Sequence, residues 1–198
     1  MSVLQLSEQE IATVRTQQYT FYRPAASKTN VPWRALAAIH FRENNLSLKQ
    51  PTTPGGVLQF DPVPGKSALE NLLKLYSNLT PQEQVECAIK NVSDLMSSFI
   101  IAGCILKRNC RFKLIATSPD EQVLDAFYGY NGRVGKSPYD SAYCVNGLDA
   151  QHNNLVIIGS EPNGHGGRTP IRVVDHRPGA FVVFQQLAEM DTPIPSSK

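Results

Sequence analysis

The sequence predicts a mainly helical domain of the α+β class, with one small β-hairpin late in the chain. Apolar residues recur at helical spacing behind plain helix-start signals, and strand-like runs are few and short. No linker, repeat or low-complexity tract divides the 198 residues. This length suits one hydrophobic core, so a single domain is expected over residues 1–198.

The first two helices are marked by the residues that flank them. Ser7 and Glu10 match a capping box, in which each side chain satisfies an orphan backbone N–H of the first turn. The box predicts a helix over 7–22, which Pro24 is expected to end because proline has no N–H and obstructs the preceding turn. A second helix is predicted over 32–43, where apolar side chains recur every three or four residues.

The later helices are predicted from similar signals. Proline at a first helical position and Ser–Glu pairs three residues apart indicate further starts. The apolar run 96–106 is too short to span a bilayer, so it predicts a buried helix and no stable membrane insertion. The further helix starts lie at Ser67, Pro81, Pro119 and Pro178, the last opening a helix over 178–190.

The predicted hairpin consists of two short β-branched runs, 154–158 and 171–174. A glycine-rich segment between them predicts a long connecting loop. The tail after Asp191 is expected to fray, because terminal residues without packing partners are poorly ordered.

Charge and the first residues exclude some classes of partner and location. Nineteen basic residues against seventeen acidic ones give a net charge of only +2, too mild for a nucleic-acid-binding surface. The chain starts without a basic segment followed by an apolar one, so no secretory signal peptide is expected.

The cysteines and histidines do not indicate a metal site or a cofactor. No two cysteines are spaced as a CxxC pair, and no two histidines stand four residues apart on a predicted helix. Reduced thiols are expected at all four cysteines, with a Cys104–Cys110 bridge as the alternative. His40 is expected to pack beneath Glu43 or to form a hydrogen bond nearby, with direct catalysis as the alternative. The four cysteines are Cys87, Cys104, Cys110 and Cys144.

Glu43 is the first candidate catalytic residue, because it ends a helix that otherwise faces the core. Partial burial and the negative end of the helix dipole both favour the protonated carboxyl, so its pKa is expected to be raised. A glutamic acid that stays protonated near neutral pH can protonate the oxygen leaving a glycosidic bond. The alternative is a surface glutamate balanced by Arg42.

Two downstream segments offer groups that suit an amino sugar. Gly56 belongs to a glycine pair that lets a polymer approach closely, and the Gln59 amide offers both a donor and an acceptor. Asp61 adds a second carboxylate, which could stabilise positive charge on the sugar or orient water. Further along, Tyr130 can stack on a sugar face while Asn131 bonds its substituents. Each segment alone is also consistent with an ordinary turn or helix end.

Taken together, the three segments resemble the lytic transglycosylase and goose-type lysozyme superfamily. The resemblance covers residues 32–133, about half of the chain, and keeps the order of the family's motifs. These motifs are a helix ending in glutamate, then Gly56-Val57-Leu58-Gln59-Phe60, then Gly129-Tyr130-Asn131-Gly132.

The resemblance implies a lysozyme-like helical domain that cleaves the β-1,4 bond between N-acetylmuramic acid and N-acetylglucosamine in peptidoglycan. It implies that Glu43 is the general acid, that Gln59 lies in the cleft, and that Tyr130 and Asn131 shape the catalytic subsite. No cofactor is required by this chemistry.

Two positions depart from the usual family pattern. Asn44 stands where the family usually has serine after the acid, which puts that neighbouring contact in question. Asp61 makes the chain more similar to the goose-type lysozymes, in which an aspartate helps water attack. Hydrolysis is therefore favoured, while a lytic transglycosylase giving anhydro-muramyl products, a non-catalytic virion or wall-binding protein, and cleavage of chitin stay open as alternatives.

The segments Ser137-Pro138-Tyr139, Tyr143-Cys144-Val145-Asn146 and 175–180 resemble phage and bacterial muramidase-like proteins of the same superfamily. The resemblance implies that Tyr139 and Asn146 line the cleft, with structural roles as the alternative. Because no secretory signal peptide is expected, a phage setting is favoured, in which the protein acts from the host cytoplasm at lysis or as part of a virion. Other virion or lysis proteins are then expected as partners.

Overall fold

The computed structural model describes residues 4–49, 95–133, 136–141, 143–145, 156–162, 168–174 and 177–191. These residues are mainly helical, as the sequence predicts. No helix among them is long and apolar enough to cross a membrane. The helices are α1 (Glu8–Gln17), α2 (Arg23–Thr29), α3 (Trp33–Asn44), α4 (Leu95–Asn109), α5 (Asp120–Tyr130) and α6 (Ala180–Gln186). The helix starts predicted at Ser67 and Pro81 lie outside the described residues.

The predicted capping box at the start of α1 is confirmed. The Ser7 hydroxyl accepts a bond from the Glu10 N–H at 3.3 Å, and the Ser7 N–H donates to Glu10 Oε2 at 2.7 Å. The expectation that Pro24 ends this helix is wrong. A π-helical turn over Gln18–Tyr22 follows α1, and Pro24 lies in the first turn of α2, where its missing N–H leaves no bond unmade.

Helix α3 is the central helix of the described core. It begins after Pro32, as predicted, and every residue from Ala35 to Arg42 is buried. It packs against α6, α2 and α4. Burying a large apolar side chain contributes about 2–3 kcal/mol to the free energy of unfolding, so the burial of α3 strongly stabilises its position. Only its two ends approach solvent, and Glu43 lies half-buried at the C-terminal end.

Helix α5 carries the Gly-Tyr-Asn-Gly segment and packs closely on the end of α4. A Cβ atom built on Gly129 would lie 2.2 Å from the carbonyl oxygen of Asn109, so a side chain there would force the two helices apart. Gly132 follows the helix with a φ of +69°, the left-handed conformation that is typical of a glycine at a helix end.

The last part of the chain contains two strands and α6. Strand β1 (Val156–Pro162) pairs antiparallel with β2 (Arg168–Val174), and Val156 lies opposite Val174. The sequence predicts strands at the β-branched runs 154–158 and 171–174. In the structure β1 ends later, at Pro162, and β2 begins earlier, at Arg168. The helix expected over 178–190 is shorter, because α6 passes into a 3₁₀ turn over Leu187–Asp191.

Three of the cysteines lie among the described residues, and all three are free thiols, as expected from their spacing: Cys104, Cys110 and Cys144. The alternative of a Cys104–Cys110 bridge is therefore wrong for this structure. Cys87 lies outside the described residues.

Candidate active site

The carboxyl group of Glu43 is bonded to a residue that lies a hundred positions further along the chain. The hydroxyl of Tyr143 donates to Glu43 Oε1 at 2.8 Å. Both side chains are half-buried. A hydrogen bond to one oxygen limits the rotamers of the carboxyl, so Glu43 is held in a defined orientation at the end of α3.

Two tyrosine rings stack beside this carboxyl. The ring centroids of Tyr130 and Tyr143 are 6.0 Å apart with an interplanar angle of 20°. The Arg42 guanidinium lies 5.2 Å from the Tyr143 ring centroid, a distance at which cation and ring attract each other. Burial, and after it the negative charge of Glu43, raises the pKa of both tyrosines well above the ordinary value. Both hydroxyls therefore keep their protons and stay available as donors.

Tyr143 is held in place by the first turn of α6. The N–H of Ala180 donates to the Tyr143 carbonyl at 2.7 Å, and the N–H of Phe181 donates to the Cys144 carbonyl at 2.9 Å. These N–H groups have no partner within their own helix, so the irregular chain around Tyr143 satisfies them. Because α6 also packs on α3, the same contact sets the distance between Tyr143 and Glu43.

An ion cluster forms on α5, the helix that ends at Tyr130. Asp125, with a side chain only 5% exposed, binds Arg111 at 2.8 Å and Arg133 at 2.9 Å. Arg133 also donates to the Asn109 carbonyl at 2.8 Å. Burial alone would raise the pKa of Asp125, but hydrogen bonds from Arg133 and Arg111 outweigh it and hold that pKa well below its usual range. The cluster therefore joins the C-terminal end of α4 to α5 and to the residues that follow it.

The predicted site residues fall into three groups. Glu43 and Tyr130 lie close together, joined through Tyr143. Asn131 points its amide at the Ser141 hydroxyl, at 3.5 Å. Tyr139 is 66% exposed on a 3₁₀ turn over Pro138–Asp140, and its contact with a glycan stays a prediction. Three further predicted residues lie outside the described residues, namely Gly56, Gln59 and Asp61.

The sequence did not identify Tyr143 as the partner of Glu43. It marked the surrounding segment by resemblance but assigned the cleft to Tyr139 and Asn146, the latter outside the described residues. No local periodicity distinguishes Tyr139 from Tyr143, because the regular structure described in this segment is a single 3₁₀ turn over Pro138–Asp140. No sequence signal marked Tyr143 as this partner, because the helix that bonds to it begins far along the chain, at Ala180.

His40 is buried in α3, one turn before Glu43, and has a polar partner at each ring nitrogen. Nδ1 lies 2.8 Å from the Tyr22 hydroxyl, and Nε2 lies 2.8 Å from the Ser47 carbonyl. A carbonyl only accepts, so Nε2 carries a proton and donates to Ser47. Burial lowers the pKa of His40 from 6.5 to about 4, more than the bond to Ser47 raises it.

This lowered pKa predicts that the protein loses stability in moderate acid. The unfolded chain takes up a proton on His40 near pH 6.5, whereas the folded chain takes it up only near pH 4, so the unfolded state is favoured as the pH falls through this window. One pKa unit is worth about 1.4 kcal/mol, so the expected loss is about 3 kcal/mol. Urea unfolding across the window should show this slope, and His40→Gln should remove it. An equal slope in both proteins would contradict the prediction.

The described residues do not suggest a metal centre, since no group of three or more His, Cys, Asp or Glu side chains among them is placed to hold an ion. No protein-family model, curated protein or solved structure matches the chain. A functional assignment therefore depends on the geometry around Glu43 and on the sequence motifs that accompany it.

Proposed function

We propose that this chain is a lysozyme-like domain with a late hairpin that hydrolyses the β-1,4 bond between N-acetylmuramic acid and N-acetylglucosamine in peptidoglycan. The supporting observation is the Glu43–Tyr143–Tyr130 arrangement. It brings the glutamate of the first motif next to the tyrosine of the third, which are far apart in sequence. A carboxyl group beside aromatic rings at the end of a buried helix suits a general acid facing a sugar.

In this proposal Glu43 protonates the oxygen of the leaving sugar. Tyr143 donates to Oε1, so the acidic proton is carried by the other oxygen of the carboxyl. Tyr143 orients the carboxyl, and the stacked rings of Tyr130 and Tyr143 lie beside it.

The remaining roles in the proposal come from the motif resemblance. Asp61 assists the attacking water or steadies the oxocarbenium-like sugar, and Gln59 and Gly56 contact the glycan in the cleft. Tyr130, Asn131 and Tyr139 complete the sugar-binding surface. The setting is a phage protein that reaches the bacterial wall at lysis or within a virion, together with other lysis or virion proteins.

Mass spectrometry of digested wall tests this function directly. Purified peptidoglycan is incubated with the protein, and chitin is offered in parallel. Muropeptides with reducing N-acetylmuramic acid ends are expected, and anhydro-muramyl ends would instead assign a lytic transglycosylase. Products from chitin alone would overturn the choice of substrate. Sedimentation with the wall but no products from either polymer would favour a non-catalytic wall-binding protein.

A tyrosine variant tests the role of Tyr143. We expect Tyr143→Phe to lower kcat about tenfold, because it removes a bond to the acid worth about 1–2 kcal/mol while keeping the stacked ring. KM should change little, since the lost bond is to the enzyme's own carboxyl. Tyr19→Phe is the matched control, because Tyr19 is 68% exposed on the π-helical turn. Equal rates for the wild type and Tyr143→Phe would remove Tyr143 from the mechanism.

A further inference from the structure

A closed cycle of polar contacts lies at the C-terminal end of α3. Gln17 donates from Nε2 to the Leu46 carbonyl at 3.0 Å, and its Oε1 accepts the Tyr22 hydroxyl. That hydroxyl also contacts His40 Nδ1, and His40 Nε2 contacts the Ser47 carbonyl. We call these five residues the His40 cycle. It joins the C-terminal end of α1 and the following π-helical turn to the turn that follows α3.

The turn that the His40 cycle contacts has backbone dihedral angles that are unfavourable for residues other than glycine. Asn45 and Leu46 have φ angles of +47° and +61°, and neither residue is glycine. Each residue in this left-handed region costs about 1–2 kcal/mol, so the turn persists only where its surroundings hold it. The cycle supplies that hold, because it bonds the carbonyls of Leu46 and Ser47, and Leu46 is itself only 3% exposed.

The same turn lies next to the candidate acid. The Ser47 carbonyl that receives His40 also receives the Asn44 amide at 2.9 Å, and Asn44 directly follows Glu43. The N–H of Asn45 bonds back to the Phe41 carbonyl at 3.0 Å, which closes the last turn of α3. A change in this turn therefore acts on the helix end that carries Glu43.

We propose that His40 is a positioning residue for Glu43, which fixes the left-handed turn after α3 and thereby the orientation of the carboxyl toward Tyr143. Its importance for turnover rests on the proposed function of Glu43 as the acid. The positioning itself is a property of the folded protein without substrate. The two can therefore be tested by different readouts.

Two neutral variants of His40 separate its two hydrogen bonds. A glutamine places an amide N–H near the position of Nε2 and can keep the bond to Ser47, whereas an asparagine is shorter and keeps only the side toward Tyr22. His40→Asn is expected to speed hydrogen exchange of the Asn45 and Ser47 amides at least about tenfold, and His40→Gln to leave it within about threefold of wild type. Tyr22→Phe breaks the cycle elsewhere and provides a second test, should His40→Asn fail to fold.

The carbon-13 shift of the Tyr143 ring reports whether Glu43 has moved. We expect it to change in His40→Asn toward the value seen in Glu43→Ala, which has no acceptor for the Tyr143 hydroxyl, and to stay at the wild-type value in His40→Gln. Phe99→Leu is the control for general loosening, because the Phe99 ring packs on His40 at 5.1 Å without a hydrogen bond.

Activity adds a third readout. On peptidoglycan, His40→Asn is expected to lower kcat about tenfold with KM within about twofold of wild type, and His40→Gln to restore kcat. An unchanged Tyr143 shift in His40→Asn, or the same shift in Phe99→Leu, would overturn the positioning role. A wild-type protein that cleaves no wall would refute the function of Glu43, while the exchange and shift measurements would still decide the role of His40.

Discussion

Glu43→Gln is expected to lower the rate of peptidoglycan cleavage roughly a hundred- to ten-thousand-fold, the range contributed by a general acid. Glutamine keeps the size of the side chain and an oxygen that can accept from Tyr143, so the hydrogen bond at Oε1 has a substitute. It has no acidic proton to deliver to the leaving sugar. The variant should therefore fold and bind wall while losing turnover, which release of soluble muropeptides measures.

The matched control is Glu8→Gln, since Glu8 is an exposed carboxylate in the first turn of α1. Its rate should stay within about twofold of wild type. Sedimentation of Glu43→Gln with insoluble wall checks that binding is retained. Cleavage by Glu43→Gln at the wild-type rate would refute Glu43 as the acid, whatever the products are.

Asp125→Asn is expected to cause the largest loss in the free energy of unfolding at neutral pH, because it breaks the ion cluster that joins α5 to the end of α4. Breaking a buried ion pair by removing one partner costs about 3–5 kcal/mol, but the Arg111 side chain is 65% exposed and regains water. We therefore expect a loss of about 2–3 kcal/mol in the free energy of unfolding. The new amide N–H₂ also meets donors from Arg111 and Arg133, where only acceptors fit.

Acid pH provides a second check on Asp125. The cluster holds the pKa of Asp125 below its unfolded value of about 3.9, so its stabilisation is complete above that pH and is lost as the pH falls below it. The difference between wild type and Asp125→Asn should therefore shrink in this acid range. Asp140→Asn, a change at an exposed carboxylate, is the control and should cost less than about 0.5 kcal/mol. A loss of that small size for Asp125→Asn would show that the cluster contributes little.

Much of the helical structure could be predicted from the sequence, because helix ends depend on local chemistry. Each of these signals acts on backbone groups only a few residues away. The examples are the Ser7–Glu10 box, the helix start after Pro32 and the helix end at Gly132. Pro24 was misjudged for a related reason. A π-helical turn precedes it, in which Tyr22 is buried against His40 and Phe99, and no local sequence signal marked that turn.

The candidate site was predictable only in part. Glu43 and Tyr130 belong to ordered motifs that can be recognised along the chain, and the structure places them near each other. The bond from Tyr143 was not predictable from spacing, because an irregular segment has no period that tells which tyrosine faces inward. The roles of Gln59 and Asp61 stay predictions.

The sequence by itself therefore determined the helical class, most of the described helix starts and the choice of Glu43 as the acid to test. Only the tertiary structure decided which groups surround that acid. The packing of α6 on α3 selected Tyr143 as its partner, and the His40 cycle fixed the turn beside it. The physical reason is that caps and periodicity act over a few residues, whereas the orientation of a carboxyl depends on contacts between segments up to a hundred residues apart.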